Sequence, residues 1–222
     1  VTTENSAGST LSPRASEAVK RSLTPRQEAA SRDVDTLIRC GRELLTRGEP
    51  ARVADIVAAA GLSNDAFYRY FKSKGDFVDA VVEEGGHRLV RYLRHKIDQA
   101  ADPDAALRAG IAAVLNQAVD PEIAAATRNV VSSAATRNVV SSAGGRSHAP
   151  KVREDLEKAV AEVLAGPIAD LGSADPQRDS LTTSILLLAV MEHLLWRDAS
   201  TFDADAEVEQ IVGYARRGLR TS

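Results

Sequence analysis

The chain has 222 residues, 44% hydrophobic and 27% charged, with a formal net charge of -3. That is length enough for one large or two modest domains with a real core, and an ordinary soluble composition rather than a bulk polycation. The apolar run from Ile185 to Val190 is too short for a membrane span, and a single cysteine, Cys40, excludes an internal disulfide. No basic, apolar and small-residue leader opens the sequence, so the expectation is a cytoplasmic protein without a membrane partner. The charge is uneven. Residues 1–74 carry 12 Lys and Arg against 9 Asp and Glu, and the rest carry 16 against 22. A basic end on an acidic remainder suits a protein that meets phosphates with one end only.

Residues 1–22 are rich in Ser, Thr, Gly and Ala and read as a disordered tail. Arg14, Lys20, Arg21 and Arg26 lie toward its end, where an arm can lie along a minor groove or simply solubilise. Thr24-Pro25 has the form of a helix start, a capping hydroxyl before proline at the first helical position. Val34, Leu37, Ile38, Gly41, Leu44 and Leu45 give that helix one apolar face. Cys40 within it reads first as a small packing residue, with a thiol sensor as the alternative. Arg47 to Pro50 is a turn.

Val53, Ile56, Val57 and Ala60 then follow the i, i+3, i+4, i+7 rhythm of a helix face. Gly61 stands where that helix stops in a left-handed turn. Ser63 is placed to cap a second helix. Phe67 and Phe71, at i and i+4, pack inward, and Tyr68, Arg69 and Tyr70 are left to point outward. Two short helices about a tight turn form a helix-turn-helix, whose second helix enters the major groove of DNA. Its first residues, Ser63, Asn64, Asp65 and Ala66, would face base edges. Asn64 suits adenine and Asp65 accepts from a cytosine amino group, or else favours the helix dipole.

Ile56-Val-Ala-Ala-Ala-Gly-Leu-Ser63, followed by Phe67-Tyr-Arg-Tyr-Phe-Lys-Ser-Lys-Gly-Asp-Phe77, resembles the amino-terminal signature of the TetR family of transcriptional regulators. The likeness spans roughly Arg32 to Val82. It implies a three-helix DNA-binding unit over residues 23–75 and a ligand-binding and dimerisation domain over 76–222. It further implies that Tyr68 gives its hydroxyl to a phosphate, that Arg69 and Tyr70 flank the groove, and that Lys74 binds phosphate, with Phe67 and Lys72 in the same interface. Three positions depart from the family pattern. Arg52 stands where a Ser or Thr often caps the helix and touches a phosphate; its charge can make that phosphate contact instead, but the cap is weakened. Asp65 replaces the usual glycine and Ala66 the usual threonine.

Residues 75–100 read as one long helix, interrupted by Gly85-Gly86. Two helical glycines cost about 1 kcal/mol each, so they require a reason: close packing of a crossing helix, or else room for a ligand or a flex point. The resemblance makes this the element that joins the two halves. Asp102-Pro103 and Asp120-Pro121 start two more helices. Ala125-Ala-Thr-Arg-Asn-Val-Val-Ser-Ser133 is then repeated without change as Ala134 to Ser142. This reads as a recent small duplication or a slip in the recorded sequence. Nine residues turn a helix by about half a revolution beyond whole turns. One copy is therefore expected in or beside an irregular connection, and Ala143-Gly-Gly-Arg146 is a loop signal.

A helix from Lys151 is expected to kink or end at Gly166-Pro167. Asp175-Pro176 starts another, apolar nearly all round from Ile185 to Val190. Phe202-Asp203 leads into the last. No stretch alternates like a strand, so the fold class is all-α with nine to ten helices. The helix around Ile185 to Leu195 and the last helix are the dimerisation candidates, as the family's four-helix bundle implies.

Candidates for a ligand chamber are His87, Arg91, Tyr92, Leu115, Met191, His193, Trp196 and Phe202. His87, Arg91 and His95 share a helix face that suits an anion, or is simply solvated. No catalytic triad, phosphate loop or Cys/His metal set is present, so neither enzyme chemistry nor a cofactor or metal is expected. The expected function is a ligand-responsive repressor that binds a palindromic DNA operator as a homodimer and is released by a small molecule. The alternative is an architectural DNA-binding protein or activator with no ligand.

Overall fold

The computed structural model describes residues 12–48, 52–140, 149–197 and 203–219, and these hold nine helices and no strand. In chain order they are α1 (Pro13–Thr46), α2 (Val53–Ala60), α3 (Asn64–Tyr70), α4 (Lys74–Asp98), α5 (Pro103–Val119), α6 (Pro121–Val140), α7 (Ala149–Asp170), α8 (Pro176–Leu195) and α9 (Ala204–Leu219).

The first helix differs from its sequence reading. It begins at Pro13, capped by the Ser12 hydroxyl, and runs straight through Thr24-Pro25. Ser12-Pro13 is the same start signal as Thr24-Pro25, and the earlier one prevails. Pro25 lacks an N–H to donate, but this stretch lies in solvent, where water can serve the freed carbonyl. The Thr24 hydroxyl meanwhile donates back to the Lys20 carbonyl at 2.9 Å. The tail expected over 1–22 is therefore helical from Pro13 onward. Residues 1–11 lie outside the described residues.

Two cores organise the chain. The first gathers Leu37 and Leu45 of α1, Ile56 and Val57 of α2, Phe67 of α3, then Phe71, and Phe77, Val78 and Val81 of α4. The three phenylalanines stack on one another with ring centres 5.1–5.4 Å apart. The second core takes Leu93 from the other end of α4, with Leu107, Ile111, Val114, Leu115, Leu164, Ile168, Leu187 and Leu194 from α5, α7 and α8. α4 thus belongs to both cores and is the beam between them. Its contact with α1 depends on Gly41, because a Cβ there would collide with the Phe77 ring.

The paired glycines of α4 have separate surroundings. Gly86 meets Leu156 of α7, a Cβ there falling 3.3 Å from its Cδ1, while a Cβ at Gly85 would have nothing within 4 Å. Close packing accounts for one glycine only. Gly166-Pro167 does not end α7. The helix continues to Asp170 and closes at Gly172, whose φ of 89° is left-handed, with Ser173 N–H donating to the Ile168 carbonyl.

The first copy of the nine-residue repeat lies wholly inside α6, and the second runs to the helix's carboxyl end at Val140. Residues 141–148, with the expected loop signal, lie outside the described residues. α6 crosses both halves. Val130 packs against the first core and Val131 against the second.

Among the described residues, no helix is long and apolar enough to cross a membrane.

Candidate nucleic-acid interface

The α2–turn–α3 unit forms as its residues dictate. Gly61 adopts φ 67°, ψ 27° and ends α2, and the Leu62 N–H returns to the Val57 carbonyl at 2.9 Å. Ser63 is spent as the cap of α3, its hydroxyl accepting from the Ala66 N–H at 3.1 Å. Arg52 offers no side-chain cap to α2. Asp55 makes good part of the loss, its carboxylate accepting from the Arg52 N–H at 3.2 Å. An acidic residue three positions into the helix is the signal that marks this arrangement.

α3 divides cleanly into two faces. Ala66 is 7% exposed and Phe67 fully buried. This corrects their place among the DNA contacts: both side chains are buried, and Phe67 belongs to the first core. Asn64, Asp65, Tyr68 and Arg69 face solvent. Tyr68 is 57% exposed, and its ring is braced edge-on against Phe67 with centres 5.3 Å apart.

Tyr70 behaves differently from Tyr68. It is half-buried, and its hydroxyl donates to Asp33 Oδ2 of α1 at 2.9 Å. The hydrogen bond to Asp33 raises the phenol above its ordinary pKa, with partial burial acting in the same direction. Tyr70 therefore fastens α3 to α1, a tie that helical spacing alone does not reveal because the partner lies 37 residues away. Arg69 lies over the Tyr70 ring at 5.9 Å, within cation–π reach.

The turn into α4 is equally ordered. The Ser73 hydroxyl accepts from the Asp76 N–H at 3.1 Å, and the Asp76 carboxylate accepts from the Lys72 N–H at 2.9 Å. This reciprocal cap leaves Lys72 and Lys74 both exposed at the amino end of α4. Exposed lysines at the amino end of a helix add positive charge to the helix dipole, a combination that favours anions.

Residues 39–81 match the family model described as bacterial regulatory proteins, tetR family. Over that segment the chain is similar to this family. Solved structures agree in fold over nearly the whole length. A TetR-family transcriptional regulator from Pectobacterium atrosepticum superposes with a TM-score of 0.58 at 23% identity, covering 88% of this chain and 97% of that one. The fatty acid degradation regulator FadR from Bacillus halodurans gives 0.54 at 19%, covering 86% and 99%. FadR from Bacillus subtilis, solved in complex with stearoyl-CoA, gives 0.55 at 16%, covering 83% and 98%. At these identities the likeness is one of fold. A search of the curated proteins finds no match.

The candidates for a ligand chamber differ in burial. Leu115 is fully buried in the second core, and Met191 is partly buried against it. His87, Arg91, Tyr92, His193 and Trp196 are exposed, and Phe202 lies outside the described residues. His87 and Arg91 both reach Glu84, at 3.9 and 3.2 Å, so the cationic face of α4 is partly answered by its own carboxylate. No group of three or more metal-ligating side chains occurs among the described residues.

Proposed function

We propose that this tetR-family regulator is a homodimeric, cytoplasmic repressor. It reads a palindromic operator through α3 and releases it when a small molecule enters the carboxy-terminal half. The observation that carries the DNA reading is the division of α3 into a buried Ala66–Phe67 face and an exposed Asn64, Asp65, Tyr68 and Arg69 face. Asn64 and Asp65, at the amino end of α3, are placed for base edges. Tyr68, Arg69, Lys72, Lys74 and Arg52 surround them as phosphate ligands, and Ser63 and Tyr70 support the geometry.

A dimer is supported by apolar side chains that α8 and α9 leave in solvent. Leu181 and Ile185 recur four residues apart on α8, Trp196 follows at its end, and Tyr214 lies on α9. Exposed large apolar groups on adjacent helices favour a second copy as cover. The effector reading is supported by fold alone. A FadR regulator of this fold was solved with stearoyl-CoA, which makes long-chain acyl thioesters the first class to screen by thermal shift. A screen without a stabilising ligand would favour an architectural DNA-binding protein or activator instead.

The DNA reading is tested with duplexes carrying the palindrome upstream of the gene. The double variant Tyr68→Ala, Lys74→Ala should lose operator binding at moderate salt while keeping its fold. Retained binding would overturn the assignment.

A further inference from the structure

We infer that residues 13–32 of α1 form a basic arm that grips DNA phosphates outside the base pairs read by α3. The inference rests on α3 being the reading helix and extends the interface beyond it. No side chain from Pro13 to Arg32 is buried. At 1.5 Å per residue these twenty residues make a rod of about 30 Å with no core contact. The stretch has no core packing and carries Pro25 inside the helix, which weakens it, so a partner outside the chain would stabilise it.

Charge selects the partner. The segment holds Arg14, Lys20, Arg21, Arg26 and Arg32 against Glu17 and Glu28. None of the five cations forms an ion pair with another described residue. Arg14, Arg21 and Arg32 recur at i, i+7 and i+18, close to whole numbers of turns, and so share one face.

Direction selects the place. The carboxyl end of α1 is tied to α6, where Asn129 donates to the Thr46 carbonyl at 3.1 Å. No residue from Pro13 to Arg32 belongs to either core. The root of the arm is Asp33, which is bonded to Tyr70, the last residue of α3. The rod leaves the body beside the reading helix, where a duplex seated on α3 brings a phosphate about every 1.7 Å of its axis.

The test uses the full chain and a duplex that the wild-type protein selects from a randomised library. The variant Arg14→Gln, Lys20→Gln, Arg21→Gln, Arg26→Gln keeps strong helix formers throughout. Its affinity for that duplex should fall by about 10-fold or more at physiological salt, with a log–log salt slope shallower by about 2–4. Its selected consensus should be unchanged, and its hydroxyl-radical footprint should lose protection at the outer flanks only. An unchanged slope and footprint would overturn the arm, while Tyr68→Ala losing binding in the same assay would leave the α3 reading intact. A change of oligomeric state in sedimentation would also overturn it, by assigning exposed Val19 and Leu23 to a protein contact. A wild-type protein that selects no sequence would bring down the α3 reading and the arm together.

Discussion

Arg128 and Asn129 are neighbours in α6, yet they close the ends of two helices in different halves of the molecule. Arg128 donates to the Leu195 carbonyl at the end of α8, at 3.0 Å, and Asn129 to the Thr46 carbonyl at the end of α1, at 3.1 Å. The last carbonyls of a helix have no partner within it, so each bond both satisfies an orphan acceptor and pins an element. One turn of α6 therefore joins the amino-terminal helices to the second core. A shift of α6 is felt at both ends.

Asn129→Ala should remove the bond to α1 at a cost of about 0.5–1.5 kcal/mol. Hydrogen exchange should rise in the last turn of α1 more than in α8. Arg128→Ala should give the opposite pattern. Equal protection of both helix ends in both variants would show that α6 does not hold them separately.

The two tyrosines of α3 should separate stability from DNA binding. Tyr68→Phe should leave the melting temperature unchanged and weaken operator binding. Tyr70→Phe should lower the melting temperature by loosening α3 from α1. The sign of its pH dependence follows from the raised phenol. The stabilisation from Tyr70 is complete below the ordinary tyrosine range and is lost as pH rises through the folded value. The difference in stability between wild type and Tyr70→Phe should therefore close at strongly alkaline pH. A gap that widens there would contradict the Asp33 bond.

Gly41→Ala should destabilise the first core, since its methyl group collides with Phe77. Overpacking of this kind costs about 1–3 kcal/mol. Denaturant unfolding would show a lower midpoint, and the loss should be relieved by a second change, Phe77→Leu, which shortens the side chain. Gly85→Ala, where a Cβ meets nothing within 4 Å, should be neutral or stabilising.

Ile185→Glu should split the proposed dimer without unfolding the subunit, because the side chain is 44% exposed in the single chain. Sedimentation would show a monomer with an unchanged helical circular dichroism spectrum. Operator affinity should fall, since two half-sites are no longer engaged together. A dimer that survives would place the interface elsewhere.

Local chemistry made much of this protein legible from its sequence alone. The bounds of α2 and α3, the left-handed Gly61 and the caps at Ser63, Asp102 and Asp175 follow from short-range hydrogen bonding and helical periodicity. The all-α class followed from the same signals, and the likeness to the tetR family came from the motif spanning Ile56 to Phe77. Other features depended on residues distant in the chain. Ser12-Pro13 and Thr24-Pro25 are equivalent start signals, and periodicity could not rank them. Ala66 and Tyr70 were expected on the DNA side, because a seven-residue helix does not reveal how far its neighbours wrap around it. Ala66 is buried, and Asp33 holds the Tyr70 hydroxyl. The chamber candidates were chosen by residue type, but convergence is a property of three-dimensional packing, and it left most of them in solvent. Sequence thus determined the helices and their caps, where each bond spans a few residues. Only the tertiary structure decided which face of each helix is free, because burial is set by elements tens of residues away.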